Sequence, residues 1–124
     1  MRIILIGYGW RSLFYYRITK ALPEQFTLAT WVLRTEERAR EVRDLYHVET
    51  TSDIHSALTL PHGLVILSLS SSSVEAMLRI LMKPNETILC ETSFTGLPLE
   101  TLTSLYKAYK ASQSKILIAE QYYR

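Results

Sequence analysis

An apolar run that ends in two closely spaced glycines constrains this chain more than any other feature. The run Ile3 to Ile6 leads directly into Gly7 and Gly9, and a helix-like stretch follows from Ser12 to Leu22. A buried parallel strand, a glycine turn and a helix in this order present free backbone N–H groups to a pyrophosphate. The pattern predicts a dinucleotide site or, since Gly-x-Gly is common in turns, an ordinary connection without a ligand.

The positions of the glycines have a physical reason. Gly7 allows the tight turn, and the missing Cβ at Gly9 leaves room for a diphosphate to approach the backbone. The third position of the fingerprint is Ser12 instead of glycine. Serine is small enough for close packing of helix on strand and can also cap the helix. The departure therefore weakens the motif without removing it.

Length and composition predict one domain over residues 1–124. With 48% hydrophobic and 21% charged residues, the chain has the composition of a globular protein. Its apolar runs are too short to span a bilayer, and no signal-peptide pattern is present. The single cysteine, Cys90, fits a reducing compartment, so a cytoplasmic location is expected. The net charge of +2 is small and its basic residues are dispersed, which gives no indication of a nucleic-acid partner.

Strand-like and helix-like segments alternate along the whole chain. Glu36 to Tyr46 has helical spacing, whereas Leu64 to Leu69 is an apolar run typical of a central parallel strand. Four serines, Ser70 to Ser73, precede a helix predicted to begin near Val74, and Lys115 to Ala119 is the last predicted strand. The alternation predicts an α/β fold, a three-layer doubly wound parallel sheet of about six strands in the Rossmann order 3-2-1-4-5-6.

Several segments resemble the nucleotide-binding half of the glucose-fructose oxidoreductase / inositol dehydrogenase (Gfo/Idh/MocA) family, and the resemblance runs from one end of the chain to the other. They are Gly7-Tyr8-Gly9-Trp10-Arg11, the helix Glu36 to Tyr46 with His47-Val48 and Ser52-Asp53 after it, Ile88 to Phe94, and Ala119 to Tyr122. The resemblance implies an amino-terminal Rossmann domain that binds NADP or NAD. It also implies a carboxy-terminal α/β domain, absent from this sequence, that holds a small-molecule substrate and often forms the interface of a homo-oligomer.

The chain departs from the family pattern in two places. Where the family usually has Glu-Lys-Pro, with a lysine that contacts the nicotinamide end and helps proton transfer, this sequence reads Glu91-Thr92-Ser93. A threonine hydroxyl does not titrate near neutral pH, so it cannot replace the lysine as an acid. The Thr-Pro-Asn-like stretch corresponds to Leu69-Ser70-Ser71, and the later histidine to Val74. No catalytic residue is assigned, and a redox role requires another proton donor.

The cofactor-binding residues predicted from these observations include two arginines. Arg34 lies at the end of the second predicted strand, Phe26 to Leu33, where an acidic residue would bind the ribose of NAD. An arginine there can hold a 2′-phosphate, which favours NADP. The alternative is that Arg34 extends along the sheet edge. Arg11 is predicted either to contact a phosphate or the domain interface, or to be a solvent-exposed helix residue. Trp10 is predicted either to line the cleft or to pack in a core or an interface. The full set is Gly7, Gly9, Trp10, Arg11, Arg34, Leu69, Ser70, Ser71, Glu91 and Thr92.

Other polar residues have competing interpretations. The serine run either contacts a ribose from a loop or caps the next helix through Ser72 or Ser73. Glu91 and Thr92 are favoured as cleft residues, and Cys90 as a small core residue. The three histidines lie in separate segments without metal-ligand spacing, so no metal site is predicted.

Three functions of different classes follow. The first is the cofactor domain of an oxidoreductase that transfers a hydride between NAD(P) and an unknown small molecule. The second is a non-catalytic dinucleotide sensor or regulatory protein, which the missing lysine at Thr92 favours. The third is a small α/β domain that binds another nucleotide or only a protein partner.

Overall fold

The structure, a computed structural model, describes residues 1–91 and 97–119, apart from the side chains of Ser71 and Ser72. Strands and helices alternate throughout the described chain. In order they are β1 (Arg2–Ile6), α1 (Trp10–Ala21), β2 (Thr27–Val32), α2 (Glu36–Tyr46), β3 (Thr50–Thr51), α3 (Ile54–Leu58), β4 (Leu64–Leu67), α4 (Ser71–Leu81), β5 (Thr87–Cys90), α5 (Leu99–Ser112) and β6 (Lys115–Ile118).

The strands form one parallel sheet in the order β3-β2-β1-β4-β5-β6. The chain fills one side of the sheet with β1, β2 and β3, and then returns to the other side of β1 with β4. At this reversal Ile3 to Ile6 pair with Leu64 to Leu67. The strand order confirms the predicted doubly wound Rossmann fold. In such a sheet, ligands bind at the carboxyl ends of the strands where the order reverses.

Two hydrophobic cores lie on opposite faces of the sheet. Ile4 and Ile6 belong to the core that includes residues of α3, α4 and α5, whereas Ile3 and Leu5 belong to the core with residues of α1 and α2. Because β1 is covered on both faces, polar side chains would be buried on either side of it. This accounts for the uninterrupted apolar run. Burial of each such side chain stabilises the fold by about 2 kcal/mol.

Helix α1 begins two residues earlier than predicted. Its N-cap is Gly9 and its first residue is Trp10. Ser12 therefore lies inside the helix, and the prediction that it caps the helix is wrong. Its other predicted role, close packing between helix and sheet, is confirmed because the residue is completely buried.

Helix α4 begins at Ser71, instead of near Val74 as predicted. Ser70 is the N-cap and has an extended backbone. The interpretation in which Ser72 or Ser73 caps the helix is therefore wrong, because both lie within its first turn. The first N–H groups of a helix have no partner inside it, so the low helix propensity of serine matters less here than in a helix interior.

None of the described helices is both long enough and apolar enough to cross a bilayer.

Candidate functional site

Gly7 brings the turn after β1 against the backbone that follows β4. Its φ is +110°, and a Cβ at this position would lie 1.9 Å from the carbonyl oxygen of Ser68. The Gly7 N–H donates to the Val32 carbonyl at 3.1 Å, which joins the turn to β2 as well. Only glycine can adopt this φ and also lie this close to the Ser68 backbone. The predicted tight turn is therefore present.

Gly9 has a different role at the start of α1. Its φ of 163° is extended backbone that any residue can adopt, and a Cβ here would meet no atom of residues 1–91 and 97–119 within 4 Å. The helix has no side-chain N-cap hydrogen bond and no acidic residue in its first turn. Among the described residues, nothing therefore occupies the space beside Gly9 at the positive end of the α1 dipole. An anionic group fits such a position.

A cleft of about 690 Å³ lies at the carboxyl ends of β1, β2 and β4. The structure brings four of the predicted site residues together in its wall: Gly7, Arg34, Leu69 and Ser70. Ser70 is the exposed N-cap of α4. The cleft also contains polar and aromatic residues outside the predicted set of cofactor-binding residues, which are Tyr8, Thr35, Arg38, Ser52, Ser68 and Ser73.

Two arginines project from the segment after β2 into this cleft. Arg34 is exposed, and its Nη2 donates to Ser73 Oγ at 3.1 Å. The Arg38 guanidinium lies 5.2 Å from the ring centroid of Tyr8 and contacts Glu41 at 3.3 Å. Because Arg34 follows β2, it lies at the carboxyl-terminal edge of the sheet, where both of its predicted roles place it. Arg38 lies in the first turn of α2, which begins two residues after Arg34. Its position so soon after the end of β2 is the sequence signal by which the second arginine could have been found.

Arg11 and Glu91 join α1 to the end of β5. Arg11 Nη1 contacts Glu91 Oε2 at 2.9 Å, and the Glu91 side chain is only 6% exposed. The Tyr15 hydroxyl donates to the other carboxylate oxygen. Burial, together with this hydrogen bond to Glu91, raises the pKa of Tyr15 far above its usual value, so the hydroxyl stays protonated. Neither Arg11 nor Glu91 lines the cleft.

The remaining predicted residues lie elsewhere or cannot be placed. Trp10 is 68% exposed, with the Arg11 guanidinium 4.5 Å from its ring centroid, so its interpretation as core packing is wrong. Ser71 begins α4, but its side chain is not described. Thr92 lies outside the described residues. Cys90 is buried in β5 as predicted.

Ser12 is the least expected feature near the site. Its Oγ is buried and has no hydrogen-bond partner among the described residues. A buried hydroxyl without a partner costs roughly 1–3 kcal/mol. Because alanine has the same compact shape, we expect Ser12→Ala to raise the free energy of unfolding by about 1 kcal/mol. Urea denaturation followed by circular dichroism measures this difference.

The matched control for this prediction is Ser12→Gly, which restores the three-glycine fingerprint. It also removes the hydroxyl, but glycine is about 1 kcal/mol less favourable than alanine inside a helix. Ser12→Gly should therefore be less stable than Ser12→Ala. A loss of stability in Ser12→Ala would contradict the prediction, because it would mean that the hydroxyl is satisfied in solution.

Within the part of the chain that is described, no three His, Cys, Asp or Glu side chains are placed to hold a metal ion.

No family model and no curated protein matches the sequence, but solved structures match its fold. The WlbA dehydrogenase from Bordetella pertussis, solved in complex with NADH and UDP-GlcNAcA, superposes with a TM-score of 0.79 at 13% identity over 97% of this chain and 37% of that one. Prephenate dehydrogenase from A. aeolicus, in complex with hydroxyphenyl propionate and NAD+, superposes with a TM-score of 0.69 at 13% sequence identity. The match covers 92% of this chain and 40% of that one. Homoserine dehydrogenase from S. aureus superposes with a TM-score of 0.67 at 13% sequence identity, over 95% of this chain and 32% of that one.

These likenesses confirm the fold implied by the family resemblance, a Rossmann domain. They also show that this chain spans between about a third and two fifths of the length of these three solved proteins.

Proposed function

We propose that residues 1–124 are the cofactor-binding domain of an NAD(P)-dependent oxidoreductase of the Gfo/Idh/MocA type. The observation that carries this proposal is the geometry at Gly9, where an uncapped helix N-terminus faces space that a side chain would fill. The position is beside the reversal of strand order, where parallel sheets bind ligands. All the structures compared above are dehydrogenases, and two of them were solved with NADH or NAD+.

The residues present fit a dinucleotide. Its diphosphate would meet the α1 N-terminus beside Gly9, and the serine segment after β4 would face a ribose. Arg34 and Arg38 lie where the adenosine end would reach the carboxyl end of β2. Because two guanidinium groups suit a 2′-phosphate better than they suit ribose hydroxyls, we propose NADP as the preferred cofactor.

The bound nicotinamide would supply the hydride, and this chain would supply its binding and orientation. Glu91 and Tyr15 form a buried contact that holds α1 against the end of β5, which keeps the glycine turn and the β5 end at a fixed separation. The proton donor and the substrate pocket would belong to a second domain outside residues 1–124. The single cysteine supports a reducing compartment, so we also propose a cytoplasmic location.

Calorimetric titration of the chain with NADPH and with NADH tests the proposal. We expect saturable binding of both, with NADPH the tighter ligand. Adenosine is the matched control, because it lacks the diphosphate and should bind much more weakly. Failure of both dinucleotides to bind would refute the proposed function.

Residues 1–124 alone are expected to show no turnover with sugars, polyols or imine-like compounds, even when the cofactor is bound. Hydride transfer requires an acceptor held about 3–3.5 Å from the nicotinamide, and we assign that role to the second domain. Steady-state NADPH oxidation with a panel of carbonyl compounds checks this expectation, in a buffer where binding has been measured. Substrate-dependent oxidation that scales with protein concentration and is lost in Gly9→Val would contradict it.

A non-catalytic dinucleotide sensor is the second candidate, favoured by the threonine at position 92 where the family pattern has lysine. The two candidates differ in the behaviour of the protein that contains this domain. A catalytic protein oxidises NADPH with some carbonyl substrate, whereas a sensor binds NADPH without consuming it.

A further inference from the structure

A buried hydrogen bond connects Trp31 to the glycine turn. Trp31 lies in β2, is completely buried, and donates its Nε1–H to the Gly7 carbonyl at 2.7 Å. The Gly7 N–H donates in turn to the Val32 carbonyl at 3.1 Å. Both polar groups of Gly7 are therefore tied to neighbouring residues of the same strand. These two bonds hold the one residue of the turn whose φ, +110°, lies in the region that favours glycine.

The direction of the Gly7 carbonyl decides the direction of the next N–H. The Gly7 carbonyl and the Tyr8 N–H belong to one planar peptide unit, and in a trans peptide they point in opposite directions. There is no cis peptide bond among the described residues. Because Trp31 draws the Gly7 oxygen into the core, the Tyr8 N–H must point away from it. Among the backbone hydrogen bonds of the described turns and loops, none has the Tyr8 N–H as its donor.

Stacked aromatic rings keep the indole in place. Tyr16 and Tyr46 lie against Trp31 with ring centroids at 5.6 and 5.7 Å and interplanar angles of 29°. The Tyr8 ring lies 6.0 Å from Trp31 at 42°. Tyr8 lines the cleft, so the aromatic cluster extends from the core to the proposed ligand. A rotation of the indole that broke its bond to Gly7 would disturb all three ring contacts.

From this geometry we infer that Trp31 is a positioning residue for the diphosphate. Its indole N–H fixes the peptide between Gly7 and Tyr8 so that the Tyr8 N–H is presented to a phosphate oxygen. Trp31 itself would not touch the ligand. The inference rests on the proposed function, to which it adds the residue that sets the conformation of the turn before a dinucleotide arrives.

The test compares three variants of residues 1–124. Trp31→Phe keeps an aromatic ring but loses the N–H. Replacement of Trp31 by β-(3-benzothienyl)alanine keeps the shape of the indole and loses only the donor, so packing is preserved even if Trp31→Phe fails to fold. Tyr16→Phe is the matched control, because it removes a hydroxyl bonded at 3.5 Å to the Tyr46 carbonyl in the same cluster, away from the turn.

We expect the benzothienyl variant to bind NADPH about tenfold more weakly by calorimetry, in line with the loss of one well-placed hydrogen bond. Tyr16→Phe should stay within about twofold of the unaltered chain. In ¹H–¹⁵N spectra without ligand, the Tyr8 amide signal should move in the benzothienyl variant. If Trp31 had only a structural role, the variant would have a lower melting temperature, but its affinity for NADPH would not change and the Tyr8 amide signal would not move selectively.

The outcomes separate the inference from the proposed function. If the unaltered chain binds neither NADPH nor NADH, the proposed function is refuted and the inference falls with it. If the unaltered chain binds NADPH and the benzothienyl variant binds it equally well, the inference alone is overturned. An unmoved Tyr8 amide in the ligand-free variant overturns it as well.

Discussion

Replacing Gly9 with valine is expected to abolish dinucleotide binding and to leave the fold intact. A Cβ at Gly9 meets no atom within 4 Å in the described part of the chain, and the extended backbone there accepts any residue. The valine side chain would fill the space beside the α1 N-terminus where we place the diphosphate. Loss of two charge-assisted hydrogen bonds corresponds to about 3 kcal/mol or more, which is at least a hundredfold in affinity. Calorimetry with NADPH and far-ultraviolet circular dichroism measure the two effects.

Gly7→Ala is the matched control. It also adds a side chain at a glycine of the turn, but it should disrupt the fold, whereas Gly9→Val should leave the fold intact. Its Cβ would lie 1.9 Å from the Ser68 carbonyl oxygen, and its φ of +110° is strained for alanine. The combined clash and strain cost about 3 kcal/mol or more, a large part of the stability of a small domain. We expect Gly7→Ala to lose its cooperative unfolding transition. Unchanged NADPH affinity in Gly9→Val would place the diphosphate elsewhere.

The sheet could be predicted from sequence because its strongest signals are local. The apolar run Ile3 to Ile6 is visible without knowledge of its neighbours in space, and its short length before a glycine turn is typical of a strand covered on both faces. Alternation with helices then restricts the strand order to very few arrangements. The start of α4 was less predictable. A serine run resembles a loop by propensity, and only the extended conformation of Ser70 shows where the helix begins.

The contacts around the site were harder to predict from sequence because they join distant parts of the chain. Arg11 and Glu91 are 80 residues apart, so nothing local indicates that the arginine meets a buried carboxylate. Trp31 could be predicted to lie in a strand, but its bond to Gly7 depends on the register of β1 against β2. The position of Arg34 after β2 was a local signal, and the structure places this residue in the wall of the cleft. Its role toward a cofactor stays a prediction.

Arg34→Asp is expected to weaken NADPH binding far more than NADH binding. The guanidinium lies in the cleft at the end of β2, with Ser73 as a hydrogen-bond partner. Loss of a charge-assisted contact to the 2′-phosphate costs about 1.5–3 kcal/mol, which corresponds to between about tenfold and a hundredfold or more in affinity. For NADH, the new carboxylate can accept hydrogen bonds from the ribose hydroxyls, so its affinity should be unchanged or higher.

Arg40→Asp is the control that makes the Arg34 result specific. Arg40 is exposed on α2 and does not line the cleft, yet its replacement changes the net charge by the same amount. If the general field of the domain attracted NADPH, both variants would lose affinity to a similar degree, and the loss would shrink at high salt. A direct 2′-phosphate contact instead predicts a large loss in Arg34→Asp and almost none in Arg40→Asp. Equal weakening of NADPH and NADH by Arg34→Asp would contradict the assignment, since NADH has no 2′-phosphate for an arginine to hold.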